Sequence, residues 1–241
     1  MNKNIGFTDI MAKKTRSKRN PPGLRNEPSK MKILASEYFP GRITNTSKFG
    51  NVMEAIKRKL TRQQLRLFKK DVFGQFAKMD AYVFSGTILH NALLRQVAHD
   101  KHDEDQLWFE FCDQLSRLSI SEWCLVTGLK YGEYDIHREV EVEVQHRLRD
   151  LYFEGDLGAN LKEFDAKFED LNFNDMDDVD ALKIVLYYFA DRVLNGRKDE
   201  RKLNSMLLYE VDHLEYFRSL PWGCSSWQTV YDSFDTALNK K

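Results

Sequence analysis

The sequence predicts a mainly α-helical protein, α+β at most, with one small β-hairpin and a disordered basic N-terminal arm. Three observations carry this. After residue 46, apolar residues recur three and four positions apart over most of the chain, the spacing of one helix face. One stretch, Leu107 to Ile120, reads instead as two short strands around a turn. Four of the five prolines (Pro21, Pro22, Pro28 and Pro40) fall in the first 45 residues. Aliphatic residues are few there, so burial cannot offset the entropy of ordering. Residues 1–45 are therefore assigned to an arm and linker, and 46–241 to a single mainly helical domain.

The elements follow in order. Val52, Ile56 and Leu60 fall four apart and predict a first helix. Thr61 to Gln64 has capping-box spacing and restarts a helix through Leu65 and Phe68. Ser85 caps the next, with Ile88, Leu89, Ala92, Leu93 and Val97 as its apolar stripe. The polar loop His99 to Asp105 ends it. Leu107–Phe111 and Leu115–Ile120 form the hairpin, turning at Asp113-Gln114. Ser121 caps a short helix with Trp123 and Val126 on its apolar face and Gly128 as its stop. Glu139 to Val144 alternates Glu and Val, which fits a half-buried strand, though its glutamates also allow a helix. Leu161, Phe164, Phe168 and Leu171 mark another helix. One from Asp178 to Leu194, stopped by Gly196, and one from Leu203 to Phe217 come next. Pro221-Trp222-Gly223 breaks the chain before a last helix that starts at Ser225 or Ser226.

A net charge of zero hides an asymmetry. Residues 1–70 hold 18 Lys and Arg against 4 Asp and Glu, +14, and residues 71–241 hold 19 against 33, −14. Lys13, Lys14, Arg16, Lys18 and Arg19 crowd into seven positions, a nuclear-localisation or nucleic-acid patch. Two readings follow: the arm binds nucleic acid without sequence preference while the acidic body repels phosphates, or the arm lies on that acidic body. The three cysteines are odd in number, unpaired by any C-x-x-C spacing, and fit a reducing compartment. Met1 to Ile10 has no apolar signal core, and the longest apolar run, Ile184 to Ala190, is too short to span a bilayer. The nucleus, otherwise the cytoplasm, is the expected location, with no membrane partner.

No catalytic signature emerges. Cys112 and Cys124 lie on apolar stretches and are expected to be buried and inert. Cys224, at a turn before a helix, is the best placed of the three as a nucleophile, yet no motif frames it with a base. His99 to Asp105 packs two imidazoles and four carboxylates around Lys101, the composition of a solvated loop. Asp175, Asp177, Asp178 and Asp180 lack the glycine and terminal glutamate of a calcium loop and suit a helix N-terminus instead. No phosphate-binding glycine motif occurs, and no cofactor, metal site or catalytic residue is expected.

Three segments carry a resemblance. They are Phe84-Ser85-Gly86 leading into His90 to Val97, Leu107-Trp108-Phe109 with Leu118 to Leu129, and Asp212 to Phe217 with Leu220-Pro221-Trp222-Gly223. Together they resemble a plant domain of unknown function from transposon-associated proteins, often found upstream of an Ulp-type (SUMO-directed) cysteine protease domain. The middle segment is also similar to the plant mobile domain. Trp123 stands where that pattern has Phe, and Cys224 where it has Arg or Lys. The resemblance implies a non-catalytic nuclear binding or scaffold module with a protein partner. The alternative it leaves open is the non-catalytic portion of a truncated or split Ulp-type protease. None of the six histidines precedes a Trp, and none of the cysteines precedes a Gly, so the marks of the protease domain itself are missing.

Overall fold

The computed structural model describes residues 30–41, 43–79, 84–98, 106–133, 147–158, 160–196, 199 and 201–238. The basic patch from Lys13 to Arg19, the loop His99 to Asp105 and the Glu/Val alternation from Glu139 to Val144 lie outside them. Residues 31–241 form one compact unit, which begins ahead of the boundary near residue 45 suggested by composition. Met31 bridges Val97, and Ile33 is buried. A few apolar side chains suffice to hold this stretch, and counting over 45 residues dilutes their signal.

The protein is mainly helical with one two-stranded antiparallel sheet among the described residues. Helix α1 (Phe49–Lys59) buries Val52 and Ile56. At its end the capping box closes as expected: the Gln64 amide donates to Thr61 Oγ1 at 3.2 Å, and the Thr61 amide to Gln64 Oε1 at 3.0 Å. Helix α2 (Arg62–Lys70) buries Phe68, and a 3₁₀ turn follows at Gly74–Lys78. Ser85 caps α3 (Gly86–Leu94), again as expected. That helix stops short of Val97, whose amide instead donates to Trp108 O at 2.8 Å and joins the sheet. Ile88, counted in the apolar stripe, is 72% exposed.

Strands β1 (Gln106–Phe111) and β2 (Gln114–Ser119) pair from Gln106↔Ser119 to Phe111↔Gln114. The turn is Cys112-Asp113, one residue earlier than the sequence suggests. Both residues have positive φ, 49° and 59°, the geometry of a two-residue type I′ loop that follows the strand twist. Ser119, not Ser121, caps α4 (Ile120–Thr127), because the box it forms with Glu122 was hidden by its place in the strand. Gly128 ends α4 at φ 70°, the left-handed stop the sequence predicts.

Next come α5 (Arg147–Tyr152), α6 (Leu161–Asp170) and α7 (Asp178–Phe189). Nine of the twelve α7 residues are buried, so α7 is the central helix, packed by α1, α2 and α8. The segment predicted as one helix from Leu203 to Phe217 is two, α8 (Ser205–Asp212) and α9 (Leu214–Ser219), broken at His213. Helix α10 (Trp222–Ala237) starts three residues earlier than expected, with Pro221 as its N-cap. Proline suits that position because the first turn leaves amides unpaired in any case. Gly223 is required by close approach: a Cβ there would collide with Cys124 Sγ and lie 2.8 Å from Lys130 O.

Two cores result. The larger gathers α1, α2, α7, α8 and α9 around Phe189, whose ring lies 5.0 Å from Phe73 and 5.1 Å from Phe76. The smaller holds Leu107, Phe109 and Trp227, flanked by Trp123, Val230 and Phe234. Helix α10 belongs to both, placing Trp222 in the first and Trp227 in the second.

Candidate functional site

A cavity of about 390 Å³ opens where the two cores meet. From the larger core come Phe49, Phe76, Val193 and Leu194, and from the smaller Trp123, Val230 and Phe234. Val193 and Leu194 belong to a π turn, Ala190–Leu194, that continues α7. There the Asn195 amide reaches back five residues to Ala190 O at 3.0 Å. The wider turn shifts the helical register by one residue, and such turns recur at functional sites.

The polar part of the lining is made of hydroxyls and one amide. Thr127 Oγ1 donates to Trp123 O at 2.8 Å, Ser226 Oγ to Trp222 O at 2.7 Å and Ser233 Oγ to Thr229 O at 2.7 Å. These protons are taken by carbonyls of their own helices, so the hydroxyls present acceptor lone pairs. Ser226 already accepts from Trp123 Nε1 at 2.9 Å. None of the described lining residues is titratable. A cavity with this lining can hold a neutral, mostly apolar group carrying a hydrogen-bond donor. Its volume lies at the lower end of small-ligand pockets, roughly 300–1,000 Å³.

The cysteines are distributed differently from expectation. Cys112, expected to be buried, is exposed on the hairpin turn, because the positive φ there turns its side chain off the sheet. Cys124 is buried, and burial pushes its thiol up to about 11. Cys224 sits within the first turn of α10 and not before it. Its Sγ donates to Gly132 O at 3.0 Å and accepts from the Gly132 amide at 3.4 Å. Of the aspartate run, Asp177 caps α7, accepting from the Val179 amide at 2.9 Å. Asp180 is committed to Arg147 and Tyr152. No group of three or more His, Cys, Asp or Glu side chains among the described residues is placed to hold a metal ion, and no helix among them is long and apolar enough to cross a membrane.

The cavity was not legible in the sequence, since its walls come from positions as far apart as Phe49, Trp123, Leu194 and Phe234. The local trace lies on α10, where Ser226, Thr229, Val230, Ser233 and Phe234 recur three and four positions apart. Trp123, which the sequence places on the apolar face of its helix, lines the cavity as well as packing at 6.1 Å from Trp227.

Fold and site together define a mainly helical domain with one antiparallel hairpin and an uncharged cavity between two cores. The chain belongs to the family described as a domain of unknown function (DUF1985), whose model matches residues 93–233. The match spans the hairpin, α4 to α9 and most of α10. No curated protein and no solved structure matches the chain.

Proposed function

We propose that this chain is a non-catalytic binding module, nuclear and of a transposon-derived plant family, that holds an apolar group of a protein partner in the cavity between its cores. The observation that carries the reading is the cavity lining: aromatic and aliphatic walls, hydroxyl acceptors, and no titratable side chain among the described residues. Such a surface can bind and orient a group but has no side chain to move a proton. The plant and transposon elements rest on the resemblance of the three segments named above, and nuclear location on Lys13, Lys14, Arg16, Lys18 and Arg19.

Ser233 is exposed and lines the cavity, so a large side chain there fills it without entering either core. Ser233→Trp is expected to abolish saturable binding of a neutral apolar fluorescent dye and to remove the protein captured from plant nuclei by the wild type. Its melting temperature should stay within a few degrees, as for most surface substitutions. Undiminished dye binding and capture by this variant would refute the cavity as the binding site.

The same reading expects no peptidase activity. Cys124 is buried with a raised pKa, and Cys224 is bonded to the Gly132 backbone. Incubation with a SUMO fusion and with a SUMO vinyl sulfone should give neither cleavage nor covalent labelling. Cleavage or labelling that disappears in Cys224→Ala would overturn this expectation.

A further inference from the structure

We infer that the outer face of helix α2 is a second binding surface, one that takes the phosphate backbone of nucleic acid. The basic excess of the first 70 residues divides evenly. Residues 1–45 hold ten Lys and Arg against three acids, and residues 46–70 hold eight against one, so each part contributes +7. The second half of that charge stands on folded helices.

Between Lys57 and Lys70 there are seven basic residues and no acid. On α2, Arg62, Arg66, Lys69 and Lys70 are all exposed. At about 100° per residue they fall within an arc of about 100°, opposite the buried Gln64 and Phe68. The stripe is about 12 Å long, near the axial rise of four nucleotides in one strand at about 3.4 Å each. No carboxylate among the described residues pairs with any of the four. By contrast, several cations elsewhere in the body form ion pairs, among them Lys48, Arg147, Lys167, Lys183, Arg192 and Arg218.

Folding accounts for only part of this arrangement, since Lys69 and Lys70 lie in the last turn, where the helix dipole favours cations. Like charges three and four apart destabilise a helix, and Arg62 sits in the first turn, where the helix dipole disfavours a cation. An external polyanion supplies the missing counter-charge. Arginine forks suit phosphate oxygens. A lipid surface fits less well, because the apolar residues of α2, Leu65, Leu67 and Phe68, all pack in or against the protein core. An acidic protein fits less well too, since the stripe offers no aromatic or aliphatic anchor.

The test uses the full chain in three forms: wild type, Arg62→Gln/Arg66→Gln/Lys69→Gln/Lys70→Gln, and Lys13→Gln/Lys14→Gln/Arg16→Gln/Lys18→Gln/Arg19→Gln. Binding to a fluorescent 20-base-pair duplex DNA is titrated at several salt concentrations, and to phosphatidylserine vesicles in parallel. Each phosphate contact contributes about 0.9 to the slope of log K against log salt. The helix variant should therefore be shallower than wild type by about 3 to 4, and the arm variant should retain that helix contribution. If the fourfold variant does not fold, Arg66→Gln alone is read, with a change of about 0.9. An unchanged slope in a folded helix variant overturns the inference. So does vesicle binding that depends on the stripe without DNA binding that does.

Discussion

Trp222→Ala is expected to lower the melting temperature by roughly 10 °C or more. The indole is 4% exposed, and its Nε1 donates to Phe217 O at 3.0 Å. Its ring meets Phe217 at 4.7 Å and Phe73 edge-on at 5.2 Å, and Phe73 in turn stacks on Phe189 at 5.0 Å. Truncation leaves a cavity beside Phe73 and Phe217 and removes the shorter of two hydrogen bonds to Phe217 O, the other coming from the Leu220 amide at 3.4 Å. Losses of this kind run to ~3–5 kcal/mol, and in a domain of this size each kcal/mol moves the melting temperature by roughly 2–4 °C. Trp222→Phe should recover most of the loss. Trp123→Ala should lose less stability than Trp222→Ala, because that indole is half-buried at the cavity, but it should weaken dye binding. A thermal melt of Trp222→Ala within 2–3 °C of wild type would contradict the packing described. Dye binding that survives intact in Trp123→Ala would remove that ring from the site.

The parts of the fold legible in the sequence were those written within a few residues. Thr61 and Gln64, Ser85, Asp177 and Gly128 each act on backbone three or four positions away, so local spacing was sufficient to find them. Spacing failed where one residue serves two elements. Ser119 closes β2 and caps α4, and Val97 continues the stripe of α3 yet pairs with the sheet. It also failed for Val126 on α4, 82% exposed, since periodicity marks an apolar face without saying whether a partner covers it. The cavity was illegible for a stronger reason. It is the seam left when two separately stabilised cores share α10, and no local pattern encodes the fit between them. The charge asymmetry was legible, but its division between arm and folded helix needed the structure.

The largest electrostatic effect is expected at Arg147. Its guanidinium donates to Asp180 Oδ2 at 2.9 Å and to Asp212 Oδ1 at 2.8 Å, and Tyr152 adds a hydrogen bond to Asp180 at 2.8 Å. The two carboxylates are the buried members, with side chains 9% and 16% exposed, whereas Arg147 is 44% exposed. The hydrogen bonds from Arg147, foremost, hold Asp180 below the usual carboxylate range. At Asp212 burial pushes the carboxyl up, but the bonds from Arg147 and Lys183 outweigh it and the net shift is down. In the wild type both groups therefore contribute stability that is fully present above the unfolded value of ~3.9 and is lost as pH falls through the lowered folded values. Arg147→Met removes the compensation and leaves Asp180 buried with Tyr152 and a Lys183 ammonium at 4.0 Å. The expected loss at pH 7 is roughly 2–4 kcal/mol, short of the full ~3–5 for a wholly buried pair because Arg147 is partly exposed and Lys183 still holds Asp212. Without its partner, Asp180 should titrate higher than in the wild type, because burial pushes it up and only Tyr152 and Lys183 remain to oppose that. The gap between variant and wild type should thus be widest at neutral pH and should shrink below about pH 4, where the unfolded carboxyls take up protons and the wild type progressively loses the advantage of its lowered folded values. Urea unfolding of both proteins at pH 7 and pH 3 measures this. Equal losses at the two pH values would mean that Arg147 contributes packing and not charge, and Arg147→Lys, which keeps the charge without the fork, would then be no better than Met.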